Sequence, residues 1–140
     1  MKKLKSTIYY KDALHELSYS FGTYYLFDKF VVAEINEDIQ YTWKSHGKEV
    51  VEDIFGLYGD SGKNLVYITN RINDYSVMPT GWITFFKDNY QLRGYAIVCY
   101  TEKGFLNAQL EKNFLETKVK PFRSLNEPIE WAKKSSDTKA

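Results

Sequence analysis

Two short, unbroken apolar runs constrain this chain more than anything else in it. Residues 65–69 (LVYIT) and 94–100 (GYAIVCY) are bounded by turn-forming residues and offer no polar face. Strands of that composition belong in a sheet whose faces are covered by helices, because an uncovered face would leave apolar side chains in water. Phe30–Ile35 (FVVAEI) is a third run of the same kind.

The segments between these runs carry helical periodicity. Trp43, Gly47, Val50, Ile54 and Tyr58 recur at helical spacing behind Thr42, a natural cap, and Gly56 or Gly59 closes that helix. Pro79 suits the start of a short helix packed through Trp82, Ile83, Phe85 and Phe86. Thr101 caps a third helix, in which Leu106, Leu110 and Phe114 repeat every four residues. Residues 119–122 form a last short strand. Ser124 with Glu127 spells a capping box, with Asn126 as the alternative cap because of Pro128, and Leu125, Ile129 and Ala132 point inward. Ahead of all this, Leu17, Tyr19, Phe21, Tyr25 and Phe27 alternate along one strand, with Gly22 as a bend or bulge. Asp28-Lys29 then turns it into Phe30–Ile35, giving one long hairpin. Residues 1–12 read as a flexible arm and 135–140 as a frayed tail.

A hairpin, three helix–strand repeats and a final helix make an α/β layer with a mainly parallel sheet, in one domain spanning residues 1–140. With 19 basic against 18 acidic residues, no global field draws the chain to nucleic acid or anionic lipid. No run approaches the roughly 20 apolar residues of a membrane span, and the N-terminus lacks a secretory apolar stretch, so a soluble cytoplasmic protein is expected. The single cysteine, Cys99, rules out an intramolecular disulfide and reads as buried and inert within its strand.

The densest polar cluster is Asn70, Arg71, Asn73, Asp74, Tyr75 and Ser76. It follows the first buried strand, at the carboxyl end where open α/β sheets place ligands. The helix beginning near Pro79 would turn free backbone N–H groups toward it, favouring an anion or a phosphoserine. The same residues can instead satisfy loop backbone, with Arg71 paired to a local carboxylate. Residues 56–63 (GLYGDSGK) do not make a phosphate loop: the glycine spacing, the residue after Lys63 and the helix-to-strand context are all wrong. His15 and His46 stand in different elements without ligand spacing, and His46 is expected on a solvated helix side. Glu49, Glu52 and Asp53, interleaved with Lys44 and Lys48, form a solvated helix face. Glu34 and Glu37 flank a strand end without an evident partner. The aromatics Tyr19, Tyr24, Tyr25, Phe27 and Phe30 have only Lys29 beside them, which fits packing rather than base stacking. One face of that hairpin is left to cover a second copy.

The succession FVVAEINE, the helix ending LYG, NLVYITNRINDYSVMPTGW, LRGYAIVCY and VKPFRSLNEPIEWAKK resembles small bacterial STAS-like proteins, similar in fold to the anti-sigma factor antagonists and compared with CRAL-TRIO lipid-transfer domains. The resemblance implies a four- or five-stranded mixed sheet with an N-terminal hairpin and about four helices mainly on one face. It also implies a phosphorylatable serine after the central strand, at the start of the next helix. Ser76 is the serine available, and Asp74-Tyr75-Ser76-Val77 stands where the family carries Asp-Ser-Ser-Gly. The expected function is therefore a non-enzymatic regulatory or protein-interaction module acting through residues 70–82, with no cofactor. The alternative is a carrier or sensor of a small apolar or lipid-like ligand, held between helices and sheet by the aromatic surplus of 12 Tyr, 9 Phe and 3 Trp.

Overall fold

A computed structural model of the chain describes residues 1–137, with side chains through Lys134. The fraying expected over 135–140 falls on side chains and residues outside those described.

The strands are β1 (His15–Tyr19), β2 (Gly22–Leu26), β3 (Phe30–Ile35), β4 (Gln40–Tyr41), β5 (Val66–Asn70), β6 (Ser76–Val77), β7 (Gly94–Val98) and β8 (Val119–Phe122); the helices are α1 (Lys48–Tyr58), α2 (Gly81–Lys87), α3 (Glu102–Lys112) and α4 (Asn126–Asp137). Six strands form one mixed sheet in the order β1-β2-β3-β5-β7-β8. The pairs β1/β2 and β2/β3 are antiparallel, while β3/β5, β5/β7 and β7/β8 are parallel. β4 and β6 form a separate parallel ladder.

Six strands exceed the four or five expected, and the extra one arises at Gly22. The chain does not bulge there. It reverses through Ser20-Phe21, pairing Tyr19 with Gly22, so the anticipated single strand is two. Gly22 also lies against β3: a Cβ at that position would sit 2.6 Å from the carbonyl oxygen of Glu34. Ser20-Phe21 has none of the Asn, Asp or Gly that announces a two-residue hairpin turn, which is why the reversal is hard to read from sequence.

Strand alternation divides the core. Phe30, Val32, Val66, Ile68, Ala96 and Val98 face α4, where Ile129 and Ala132, with Leu125 just before the helix, are buried as anticipated. Val31, Ala33 and Ile35 face Val50, Ile54 and Phe55 of α1 and Phe85 of α2. Tyr95, Ile97 and Cys99 lie under Ala108 of α3. Three helices therefore cover one face of the sheet and α4 the other.

Residues 1–12 are not a loose arm. They form two 3-10 turns, Leu4–Ser6 and Tyr10–Asp12, laid on the α4 face. Leu4 is 0% exposed within that core, and Tyr9 donates to Glu130 on α4 at 2.7 Å. Full burial of a leucine contributes about 1.5–3 kcal/mol, enough to outweigh the ordering of its own side chain. Both faces of the β2–β3 hairpin are thus covered from within, with Tyr24, Tyr25, Leu26 and Phe27 all buried. The face expected to meet a second copy is used by the arm and the helices instead.

Two helices close where their caps predict. Thr42 Oγ1 accepts from the Ser45 amide, although one π-turn (Trp43–Gly47) intervenes before α1, and Gly59 ends α1 in the left-handed region at φ 77°. Thr101 Oγ1 accepts from the Gly104 amide at the start of α3. The leucine repeat of α3 is not its buried face: Leu106 and Leu110 are 66% and 64% exposed, while Ala108 and Glu111 are buried. His46 is likewise turned inward. Its ring stacks on Tyr41 and meets Phe21 edge-on, and its Nδ1 accepts from the Thr42 amide at 3.0 Å.

Candidate functional site

The residues of the polar loop part company because side chains alternate across a strand. Asn70, the last residue of β5, follows Val66 and Ile68 onto the α4 face. Thr69 and Arg71 take the opposite face, where Thr69 meets Tyr75 and Arg71 meets Glu111 of α3.

On the α4 face the Asn70 carboxamide is fully engaged. Its Nδ2 donates to Glu34 Oε2 and to the Lys2 carbonyl, each at 2.8 Å, and its Oδ1 accepts from the Tyr100 hydroxyl at 2.6 Å. Glu34 Oε2 also accepts from the Leu4 amide at 2.8 Å. Glu34 is therefore a buried strand residue that ties down the arm, not an idle carboxylate at a strand end.

On the other face, Arg71 is almost buried, and its Nη2 donates to Glu111 Oε2 at 2.5 Å and to the Tyr95 hydroxyl at 3.1 Å. The second Glu111 oxygen accepts from Tyr95 at 2.7 Å and from Trp82 Nε1 at 3.0 Å. One carboxylate thus joins β5, β7, α2 and α3. Burial works against the Arg71 charge, but Tyr75 and Glu111 beside it outweigh that cost and hold the guanidinium protonated. Burial, reinforced by Glu111, pushes the Tyr95 phenol well above its ordinary range, so it remains a neutral donor. Among the described side chains, Arg71 Nε is the one buried nitrogen or oxygen with no hydrogen-bond partner.

Asn73 donates to the Ile35 carbonyl at 3.0 Å, a backbone-satisfying role. Tyr75 turns its hydroxyl to Thr69 Oγ1 at 2.8 Å and lays its ring beside the Arg71 guanidinium, 5.5 Å from centroid to Cζ. Asp74 and Ser76 alone of the six are exposed. Ser76 lies in β6 rather than at a helix start, its amide bonded to the Ile39 carbonyl. The expected fan of free amides near Pro79 is absent, because Gly81, Trp82 and Ile83 donate to Met78, Pro79 and Thr80 in tight turns. α2 has seven residues, too short for a developed dipole.

Arg71, Tyr75 and Glu111 form the polar end of a cavity of about 90 Å³ between the sheet, α1, α2 and the Trp43–Gly47 turn. Its walls are almost wholly apolar, built from Tyr24, Val31, Ile54, Trp43, Tyr67, Trp82 and Phe85 among others. Tyr24 and Tyr41 hydroxyls bond each other at 2.6 Å, so the phenols on that wall present little unpaired polarity.

Sequence reasoning placed Arg71 and Tyr75 near a site and ended the acting stretch at Trp82, but missed Glu111 and Tyr95. The one available signal was Ala108 three residues before Glu111, a small residue on the face opposite Leu106 and Leu110. Cys99 is buried as expected, and burial pushes its thiol up, away from reactivity. Among the described residues no group of three or more His, Cys, Asp or Glu side chains could hold a metal ion, and no helix is long and apolar enough to cross a membrane. No protein-family model, curated protein or solved structure matches the chain.

Proposed function

We propose that the chain is a carrier or sensor of a small, largely apolar molecule bound in the cavity beneath α2. The observation that carries this reading is the apolar pocket of about 90 Å³ ending on a charged, hydrogen-bonded network. Ligand sites are concave and mainly apolar, with a few convergent polar groups that fix orientation. A volume of 90 Å³ is several times the roughly 30 Å³ share of one water in the liquid, yet below the ~150 Å³ of a cavity that admits benzene. The unaltered cavity therefore suits a molecule of a few heavy atoms, and a longer chain requires α2 to move outward.

A ligand that binds only the folded chain raises its stability by mass action. Thermal unfolding with and without millimolar cyclopropane, acetone or 2-butanone tests the reading. A concentration-dependent rise in Tm, with quenching or shift of Trp43 and Trp82 emission, is the expected result. No response to any of them, together with nothing released by organic extraction of purified protein, sinks it.

A second reading, the STAS-like interaction module, draws support from the exposure of Ser76 on the β4–β6 ladder and of Asp74 in the loop before it. It expects a phosphate on Ser76 or a partner lost on substituting Asp74 and Ser76. Intact-mass measurement of protein from its native cell with no such increment, and unchanged partner capture by both variants, removes that support.

A further inference from the structure

We propose that β1 is a pairing edge for β1 of a second copy, joining two sheets into one across a two-fold axis at Leu17. The edges of the six-stranded sheet are β1 and β8, and they differ in what they offer a neighbour. On β8, the carbonyls of Lys118 and Phe122 accept from Tyr95 and Cys99, so alternate residues from Lys118 to Phe122 turn inward to β7. Val119 and Pro121 are left on the rim, and Pro121 has no N–H to give. A proline there closes the edge to a further strand.

β1 has no such guard. Asn36 donates to the Phe21 carbonyl and Phe27 to that of Phe30, so Thr23 and Tyr25 between them turn to β3. Gly22, Tyr24 and Leu26 therefore bond Tyr19, Leu17 and His15. The amides and carbonyls of Glu16 and Ser18 point away from the sheet. Both residues are exposed, and their backbone groups have no partner among the described residues.

Free groups at every second residue are what an antiparallel strand needs, and β1 supplies that pattern to itself. The possible registers differ in what they set opposite. Centred on Glu16, the pairing faces Glu16 with its own copy, and like charges directly opposite repel. It also needs the Leu14 amide, which donates to the Leu26 carbonyl at 2.7 Å. Centred on Ser18, it needs the Ser20 carbonyl, which accepts from Asn36 Nδ2 at 3.1 Å. Centred on Leu17, Glu16 meets Ser18 of the second copy on both sides of the axis, using only free groups. The half-buried Leu17 side chains then touch on the α1 face, and each Ser18 hydroxyl lies opposite a Glu16 carboxylate on the other.

The test is sedimentation equilibrium of the full chain up to millimolar concentration, with Ser18→Pro, Ser18→Lys and Ser18→Glu. Wild type is expected to show a reversible monomer–dimer equilibrium. Ser18→Pro deletes an outward N–H and no bond of the fold, and should stay monomeric. A lysine at position 18 meets Glu16 of the second copy and a glutamate repels it, on both sides of the axis. Ser18→Lys should therefore dimerise on the order of tenfold more tightly than Ser18→Glu. Should proline disturb the fold, that comparison still decides. A wild type monomeric at millimolar concentration overturns the inference and leaves the edge to an extended peptide of another protein. A dimer indifferent to all three substitutions also overturns it, moving the contact elsewhere, such as to the exposed Leu106 and Leu110 of α3. Equal dimerisation of the lysine and glutamate variants overturns the axis at Leu17.

Discussion

Arg71 and Glu111, 40 positions apart, meet at 2.5 Å in a nearly water-free contact that locks the end of β5 to α3. The same carboxylate also holds Tyr95 of β7 and Trp82 of α2. Removing one member leaves a buried charge uncompensated, which is worse than never having had the pair.

Glu111→Ala should therefore destabilise the protein by about 3–5 kcal/mol in urea unfolding. A double-mutant cycle with Arg71→Met should show strong coupling, the double variant being more stable than the two single costs imply. Additive costs would mean that the pair is not a functional unit of the fold.

Leu4 gives a sharp test of the docked arm. Leu4→Ala should cost about 2–5 kcal/mol, as for other leucines truncated in a packed core. Glu34→Gln, which weakens the acceptor of the Leu4 amide, should expose residues 1–12 to faster amide exchange. A change below about 0.5 kcal/mol, the range of surface positions, would show the arm to be detached.

The turned face of α3 predicts an asymmetry that runs against its periodicity. Leu106→Lys and Leu110→Lys should each change stability by less than about 0.5 kcal/mol, because both side chains are already in water. Ala108→Leu, at a site 3% exposed, should cost about 1–3 kcal/mol through overpacking. The reverse ranking in a denaturant series would restore the face that the leucine spacing suggests.

The tyrosines set the alkaline limit. Burial, with Glu130 beside it, pushes Tyr9 up to about 12, and burial holds Tyr24, Tyr67 and Tyr95 well above the ordinary phenol value. A phenol whose folded pKa is raised stabilises the fold fully below the unfolded value of about 10, and that contribution is lost as pH rises through the folded value. Absorbance titration at 295 nm should show a group of tyrosines that ionise only above pH 10–12, together with loss of the fold. Full ionisation near pH 10 with the circular dichroism unchanged would contradict this burial.

Much of the architecture is local and was legible. Unbroken apolar runs between turn signals suit strands covered on both sides, and β3, β5 and β7 lie where those runs lie. Thr42, Thr101 and Gly59 satisfy helix ends through bonds spanning three or four residues, which a sequence displays directly. The candidate site was legible only in part. Arg71 and Tyr75 could be singled out for their chemistry, but not that Asn70 would face the other side of the sheet, engaged with the arm.

The amino-acid order by itself determined the elements, their α/β alternation and most of their caps, because these depend on propensity and on spacing within a few residues. Tertiary structure alone decided that Ser20-Phe21 is a reversal, that Leu4 is core, that α3 buries Glu111 rather than Leu110, and that an apolar cavity ends on Arg71. Each of those outcomes is a competition between surfaces far apart in the chain. Glu111 turns inward because a guanidinium, a phenol and an indole wait there to satisfy it, and no stretch of sequence around α3 contains that information.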